Sequence, residues 1–473
     1  MNGIVRNKLK WGWVLPALLG GAIQAEAAWS SMTDMVAPQV VSRTTAPPVP
    51  PVTGAADGQP TRRGRTVKSL GELASGCKTV CLGLVLAFSA VLPPAFAGNN
   101  ANPNYSYFVT GTQYFVAGNT SPVKPLPTPQ PQAVQPVVLM GGGPDVDEAY
   151  RWMIQQAGIT RATGGRFVVI RTTGTDAYDP YLLYSDKHDS TTIPATDGFV
   201  GGSYLGLTAA ETLIITSRDG ANDPFVNKVV STANALWIAG GDQSTYINLW
   251  KGTKLNDTIA ALLQNNIPVG GTSAGVNVLG QFVYSAMNGT VTSAQALSNP
   301  YNQYMTFDPT PFSGTSFLNI PVLANTFVDP HLDSRDRMGR LVTFVSRVIS
   351  GPNNSGCAGG ILTVPWSARG IGIDVETALE VQKSLGHFVA RRVTNISTTT
   401  TSAVHFLRPL TSPATCTAGK PLTMYGIQVQ RLADSTTTFD ITNWWNGGSG
   451  SPNVSEYTVD ENAGVQTPTT IPY

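Results

Sequence analysis

The stretch Ile267–Gly280, IPVGGTSAGVNVLG, decides how the chain folds. An apolar run, Ile267-Pro268-Val269, leads into Gly270-Gly271-Thr272-Ser273-Ala274-Gly275, and a helix-compatible stretch from Ala274 to Ala286 follows. Gly271-x-Ser273-x-Gly275 fits the nucleophile elbow, in which a strand turns sharply into a helix with a serine at the strained apex. The glycines have a steric task there, since a side chain on either flank would collide with the neighbouring strand and helix. The N–H of Ala274 would open the helix and face a developing oxyanion. A glycine-rich turn without chemistry explains the same five residues, so the surrounding chain has to discriminate.

That chain alternates regularly. Val137–Met140 is an apolar run ending in Gly141-Gly142-Gly143, and residues 145–157 carry apolar side chains at helical spacing, with acids in the first turn and Gly158 as a stop. Phe167–Ile170, Thr212–Thr216 and Ala235–Ala239 read as strands, the last ending in Gly240-Gly241-Asp242-Gln243, while residues 224–233 and 256–265 read as helices. Continuous apolar runs mark strands covered on both faces. Repeated β-α units predict an α/β fold with a doubly wound, mostly parallel sheet. Such sheets bind ligands beyond the carboxyl ends of their strands. The turns at 141–143, 240–243 and 271–273 should therefore converge on one crevice. Downstream, Val328–Leu332 reads as a strand, residues 336–350 as a helix, and 370–374 with 378–381 as a closing hairpin. From about Ile396, short β-like runs between polar turns predict a small β-rich C-terminal appendage.

The chain has 473 residues, a net charge of +1 and only 12% charged residues, which argues against nucleic acid as a partner. Its beginning reads as targeting. Met1–Lys10 is basic and Trp11–Ile23 apolar, with Ala25-Glu26-Ala27 after them. A second such pattern runs from Arg62-Arg63 through the apolar Val80–Leu92 to Ala95-Phe96-Ala97. The apolar run is too short to span a bilayer comfortably. Cleavage after Ala97 would export the protein to the periplasm or the outside, with no stable membrane span. Cys357 and Cys416 would remain, either bonded in that oxidising compartment or as two buried thiols. The expected organisation is an extension and signal over 1–97, a Pro- and Asn-rich linker over 98–135, a catalytic domain over 136–395 and the β-rich region over 396–473. No CxxC or His-rich spacing appears, so neither metal nor cofactor is expected. Oligomeric state is left open, a homodimer included.

A serine nucleophile needs a base. Of the four histidines, His188 lies in a polar loop, and His387 and His405 read as structural. His331 falls at a predicted strand end and precedes a dense run of Arg335, Asp336, Arg337 and Arg340, which in a chain poor in charge suggests a site for carboxylates. An ordinary charged helix start is the plainer explanation of that run.

GGTSAG at 270–275, AGGDQS at 239–244 and DPHLDSRDRMGRL at 329–341 together resemble the cyanophycinase-like serine peptidases, relatives of the aspartyl dipeptidases, over about Val137 to Val381. The C-terminal KPLTMYGIQVQRL at 420–432 is similar to secreted members with an appendage. The resemblance implies a flavodoxin-like sheet of the class I glutamine amidotransferase type. It also implies hydrolysis of a β-linked aspartyl-arginine polymer to β-Asp-Arg dipeptides. Carried over, Ser273 is the nucleophile and His331 the base. Gln243, Asp329, Arg335, Arg337 and Arg340 line the substrate pocket, and Gly142 and Gly143 join Ala274 as oxyanion donors. The family acid falls in a stretch like residues 291–297, where this chain has Gln295, able to hold the imidazole tautomer but not to stabilise its cation. Asp329, two residues before His331, would leave the same strand face and could replace that acid. Pro330 also departs from the family pattern and removes a backbone N–H. Two other readings stand beside the peptidase: a secreted binding protein that has lost turnover, and an amidotransferase-like domain, against which the serine argues because those use cysteine.

Overall fold

The apolar runs become strands of a nine-stranded mixed sheet in a mixed α/β fold, seen in a computed structural model. It describes residues 102–184, 198–398, 401–444, 447–448, 454–470 and 472–473. The signal-like segments and His188 lie outside the described residues. The strands are β1 (Tyr105–Gly111), β2 (Val134–Met140), β3 (Arg166–Arg171), β4 (Ala209–Ile215), β5 (Ala235–Ile238) and β6 (Val269–Thr272), then β7 (Val283–Tyr284) and β8 (Phe307–Asp308) as a small ladder. They continue as β9 (Thr326–Pro330), β10 (Arg369–Ile373), β11 (Thr377–Ser384), β12 (His387–Thr394), β13 (Val404–Pro409), β14 (Met424–Leu432), β15 (Thr438–Asp440), β16 (Val454–Asn462) and β17 (Val465–Pro468). The large sheet has the order β1-β4-β3-β5-β6-β2-β11-β12-β15, and a second, six-stranded sheet has the order β17-β16-β14-β13-β10-β9.

Strands β4, β3, β5, β6 and β2 are parallel to one another, and both flanks are antiparallel. Alternation along each strand feeds two cores. Val137, Leu139, Val168, Ile170 and Val269 belong to one, whereas Val138, Met140, Phe167, Val169 and Trp237 belong to the other. Helix α1 (Asp147–Gln156) closes the second with Tyr150 and Met153, and α2 (Pro224–Ser231) and α3 (Lys254–Gln264) close the first. Each large apolar side chain buried this way stabilises the fold by about 1.5–3 kcal/mol. Helix α2 starts where Asp223 accepts the N–H groups of Phe225 and Val226 at 2.7 and 3.4 Å, with Pro224 preset for the first turn.

Several expectations are corrected. Residues 98–135 are not a linker where described, because β1 pairs with β4 and Tyr105 and Phe115 pack on Phe225. The sheet is mixed rather than mostly parallel. Residues 370–374 and 378–381 do not form a hairpin: β10 joins the second sheet and β11 the first, and the chain swings between them through Glu376 at φ 55°. The true hairpin is β11–β12, with Leu385 and Gly386 at its tip. The C-terminal residues are no separate appendage, since β13 pairs with β10 and β15 pairs with β12. Of the two readings of Cys357 and Cys416, the bonded one holds: the pair forms a disulfide, with Cα atoms 5.0 Å apart.

Candidate active site

The elbow forms where β6 ends. Ser273 has φ 51° and ψ −120°, a conformation a side-chain-bearing residue adopts at a cost and keeps only where its surroundings hold it. A Cβ on Gly275 would lie 1.9 Å from the carbonyl oxygen of Ile238, and one on Gly271 2.6 Å from the carbonyl carbon of Gly275. Both glycines are therefore sterically required. The register brings Met140 beside Thr272 and Ile238 beside Gly271, so the turns after β2, β5 and β6 do converge. The helix after the serine is shorter than expected, α4 (Ala274–Asn277). The chain turns away at Gly280, where a Cβ would meet the Thr326 carbonyl oxygen at 2.8 Å, and Phe282 then bridges to Phe327.

His331 follows the end of β9. Its φ of 52° breaks the strand, its N–H donates to the Gly141 carbonyl at 2.9 Å, and Nε2 comes to 2.8 Å from Ser273 Oγ. The ring rests on Gly142, whose Cβ, if it had one, would lie 2.4 Å from His331 Cε1. The same turn is held from the other side by the N–H of Glu376, which donates to the Gly142 carbonyl at 2.9 Å. Among the described residues the N–H groups of Gly142, Gly143 and Ala274 have no acceptor.

The break at His331 also separates it from Asp329. Asp329 stays in the strand, fully buried, with its oxygens taken by Arg340 Nε at 2.8 Å and Nη2 at 2.5 Å. Arg337 adds a contact at 3.8 Å. A carboxylate so enclosed neither orients His331 nor lines the pocket beside Ser273, which overturns both expectations for Asp329. Gln295 is not an orienting group either. It is the third residue of helix α5 (Ser293–Ser298), and its Oε1 accepts the Thr292 N–H at 3.0 Å in a capping box. Nδ1 of His331 has no hydrogen-bond partner among the described residues, leaving a Ser–His pair without an acid.

A small pocket of about 220 Å³ opens beside Ser273. Gln243, Asn277, Arg335, Arg337 and Arg340 line it. Gln243 sits at the start of helix Gln243–Trp250 and donates to the Tyr284 carbonyl at 3.3 Å. Arg335 is exposed, and no ion pair or hydrogen bond engages it among the described residues. Arg337 is buried, donates to the Pro330 carbonyl at 2.7 Å, and has its pKa pushed down to about 10 by burial. Burial first, then the charges of Arg335 and Arg337, push His331 down to about 4. At neutral pH the ring is therefore uncharged and able to accept a proton. A larger cavity of about 610 Å³, lined by Tyr178, Tyr181 and Glu376 among others, contains neither Ser273 nor His331. Asn277, one helical turn beyond the serine, was not anticipated, although its spacing of four residues placed it on the same face. Among the described residues no group of three or more His, Cys, Asp or Glu could hold a metal ion.

A serine on a strained strand-to-helix turn, bonded to an uncharged imidazole, defines a hydrolase-type site. The sequence model of Peptidase family S51 matches residues 204–303, a span containing Gln243 and Ser273, and this supports a peptidase. Two solved structures are also similar. One is a peptidase from an acI-B1 Actinobacterium, 20% identical, covering 58% of this chain and 91% of that one, with TM-score 0.34. The other is a peptidase E candidate from Listeria monocytogenes EGD-e, 13% identical, covering 55% and 100%, with TM-score 0.31. At these scores neither likeness carries weight for fold or function.

Proposed function

We propose that the protein is an exported serine peptidase similar to the cyanophycinases, hydrolysing β-aspartyl bonds in a peptide or polymer. The observation that carries this reading is the 2.8 Å contact between Ser273 Oγ and His331 Nε2 at the mouth of an arginine-lined pocket. Ser273 Oγ attacks the scissile carbonyl carbon as its proton passes to Nε2. Ala274 and the Gly142–Gly143 turn offer N–H groups to the oxyanion. The protonated ring then gives its proton to the leaving nitrogen, the C–N bond breaks, and water repeats the sequence on the acyl-serine. Arg335 and Arg337 hold the α-carboxylate of the aspartyl residue, and Arg340 serves them by holding Asp329 in place.

Two observations favour a slow enzyme. Among the described residues no group pairs with Nδ1 of the imidazolium, and burial together with the nearby arginines disfavours forming that cation. A bound carboxylate offsets part of this by neutralising the two arginines. The second reading, a binding protein without turnover, rests on the same absent acid. Covalent labelling by a fluorophosphonate probe separates them: the peptidase reading expects modification at Ser273, and an unlabelled, folded protein overturns it.

A further inference from the structure

The turn that carries the pocket arginines, residues 333–337, is held by a residue that does not line the pocket. Tyr473 lies 135 positions beyond Met338, and its phenol oxygen meets this turn twice. It accepts the Met338 N–H at 2.9 Å and donates to Asp336 Oδ1 at 3.1 Å. One hydroxyl thus ties the residue before Arg337 to the residue after it. The two roles are compatible, because a phenol can accept one hydrogen bond while donating another. Burial pushes the phenol's pKa upward, so the hydroxyl keeps the proton it donates. The ring packs against the apolar cluster that contains Met338, Leu341, Tyr457 and Val459, which fixes where its oxygen stands. On the other partner's side, the Met338 N–H opens the helix Met338–Arg347 and has no acceptor inside it. Asp336 is exposed and sits at φ 45°, a conformation that Asp tolerates but does not favour.

Further anchors surround the same turn. Ser293 Oγ donates to the Asp336 carbonyl and accepts the Arg340 N–H at 3.1 Å. The Arg337 N–H donates to the Leu332 carbonyl at 2.8 Å, and the Val375 N–H donates to Asp333 Oδ1 at 3.0 Å. Among these anchors Arg335 projects exposed, while Arg337 is buried with Nη1 on the Pro330 carbonyl. Both arginines line the pocket beside Ser273, and Asp336 lies between them in the chain. The backbone at Asp336 therefore sets how far apart the two guanidinium groups stand. Two groups can hold one carboxylate only at a suitable separation, since hydrogen bonds weaken steeply as length and angle depart from ideal. We infer that Tyr473 is a positioning residue for substrate binding, whose hydroxyl holds residues 336–338 so that Arg335 and Arg337 converge on the α-carboxylate of a β-aspartyl residue. The β-rich C-terminal region thereby serves the site without entering it. This rests on the β-aspartyl reading of the same site.

The test measures kcat and KM of the full protein on N-acetyl-β-Asp-Arg for wild type, Tyr473→Phe, Arg335→Gln and the double variant. Phenylalanine keeps the packed ring and removes one oxygen. Tyr473→Phe should raise KM about tenfold and leave kcat within about twofold of wild type, the pattern of lost ground-state binding. In the Arg335→Gln background the same substitution should raise KM by less than about twofold, because the arginine it positions is gone. A purely structural role would move both backgrounds equally. Should Tyr473→Phe fail to fold, Asp336→Asn weakens the same bond from its other end while tolerating the left-handed turn, and the cycle with Arg335→Gln is read in the same way. Equal KM effects in the two backgrounds, or an unchanged KM in Tyr473→Phe, overturn the inference and leave β-aspartyl hydrolysis standing. A wild-type protein that does not hydrolyse the peptide overturns the underlying reading and the inference with it.

Discussion

Replacing Gly142 by alanine tests whether the imidazole stands where catalysis needs it. The added Cβ would lie 2.4 Å from His331 Cε1 and 2.6 Å from Nε2, whereas carbon atoms in contact settle near 3.5–4.0 Å. The ring has to retreat by about 1 Å, because His331 is tied at its own N–H to Gly141 and cannot follow the backbone elsewhere. A retreat of that size stretches the 2.8 Å Ser273–His331 contact beyond hydrogen-bonding length. Losing a positioned general base costs about 10²–10⁴-fold, so kcat should fall at least about 100-fold, with KM little changed. Gly142 also has φ +92°, and alanine there adds about 1–2 kcal/mol of backbone strain. Gly118 supplies the control. Its φ is +80°, yet a Cβ there meets nothing within 4 Å, so Gly118→Ala should lose similar stability and keep full turnover. Steady-state kinetics and thermal melts on both variants read the difference. A Gly142→Ala protein turning over within twofold of wild type would refute the placement of His331.

Four further outcomes follow from the site. Since His331 must be uncharged to accept the Ser273 proton and titrates at about 4, kcat/KM should hold as pH falls and drop only near pH 4. Arg335→Gln removes a charge that depresses that pKa, so the acid limb should move upward, toward the ordinary value; a downward move or none contradicts the electrostatic assignment. Gln295→Glu should leave kcat unchanged within twofold, because residue 295 serves a helix cap where Glu works as well; a large gain would restore Gln295 as the missing acid. Arg340→Met strands the buried Asp329 carboxylate and should destabilise the protein by about 3–5 kcal/mol in denaturant melts. A stable Arg340→Met protein with weakened substrate binding would return Arg340 to direct recognition.

What could be read from the chain follows from how local each signal is. The elbow, the convergence of three turns and the central strands were legible because each is written in a run of a few residues: apolar stretches, then glycines where a Cβ would strike a carbonyl. The role of Asp329 was not, because it depends on one dihedral. With His331 in the strand, the two side chains would share a face; at φ 52° they part, and Arg340 claims the carboxylate. Gln295 misled for a related reason. A Gln three residues after a Thr is a helix-capping signal that local reading can find, but position along the chain was read as position in space. The assignment of β1, β13 and β15 to the two main sheets rests on pairings over long sequence separations, which composition alone does not carry.

Ser273 is proposed to perform the chemistry on β-linked aspartate. The most direct measurement is the release of arginine from N-acetyl-β-Asp-Arg by the wild-type protein and by Ser273→Ala, with the α-linked isomer alongside. The expected result is hydrolysis of the β-isomer, little of the α-isomer, and loss of turnover in Ser273→Ala on the order of a million-fold for a fully efficient triad and correspondingly less for a pair without an acid. Equal rates from wild type and Ser273→Ala would contradict it.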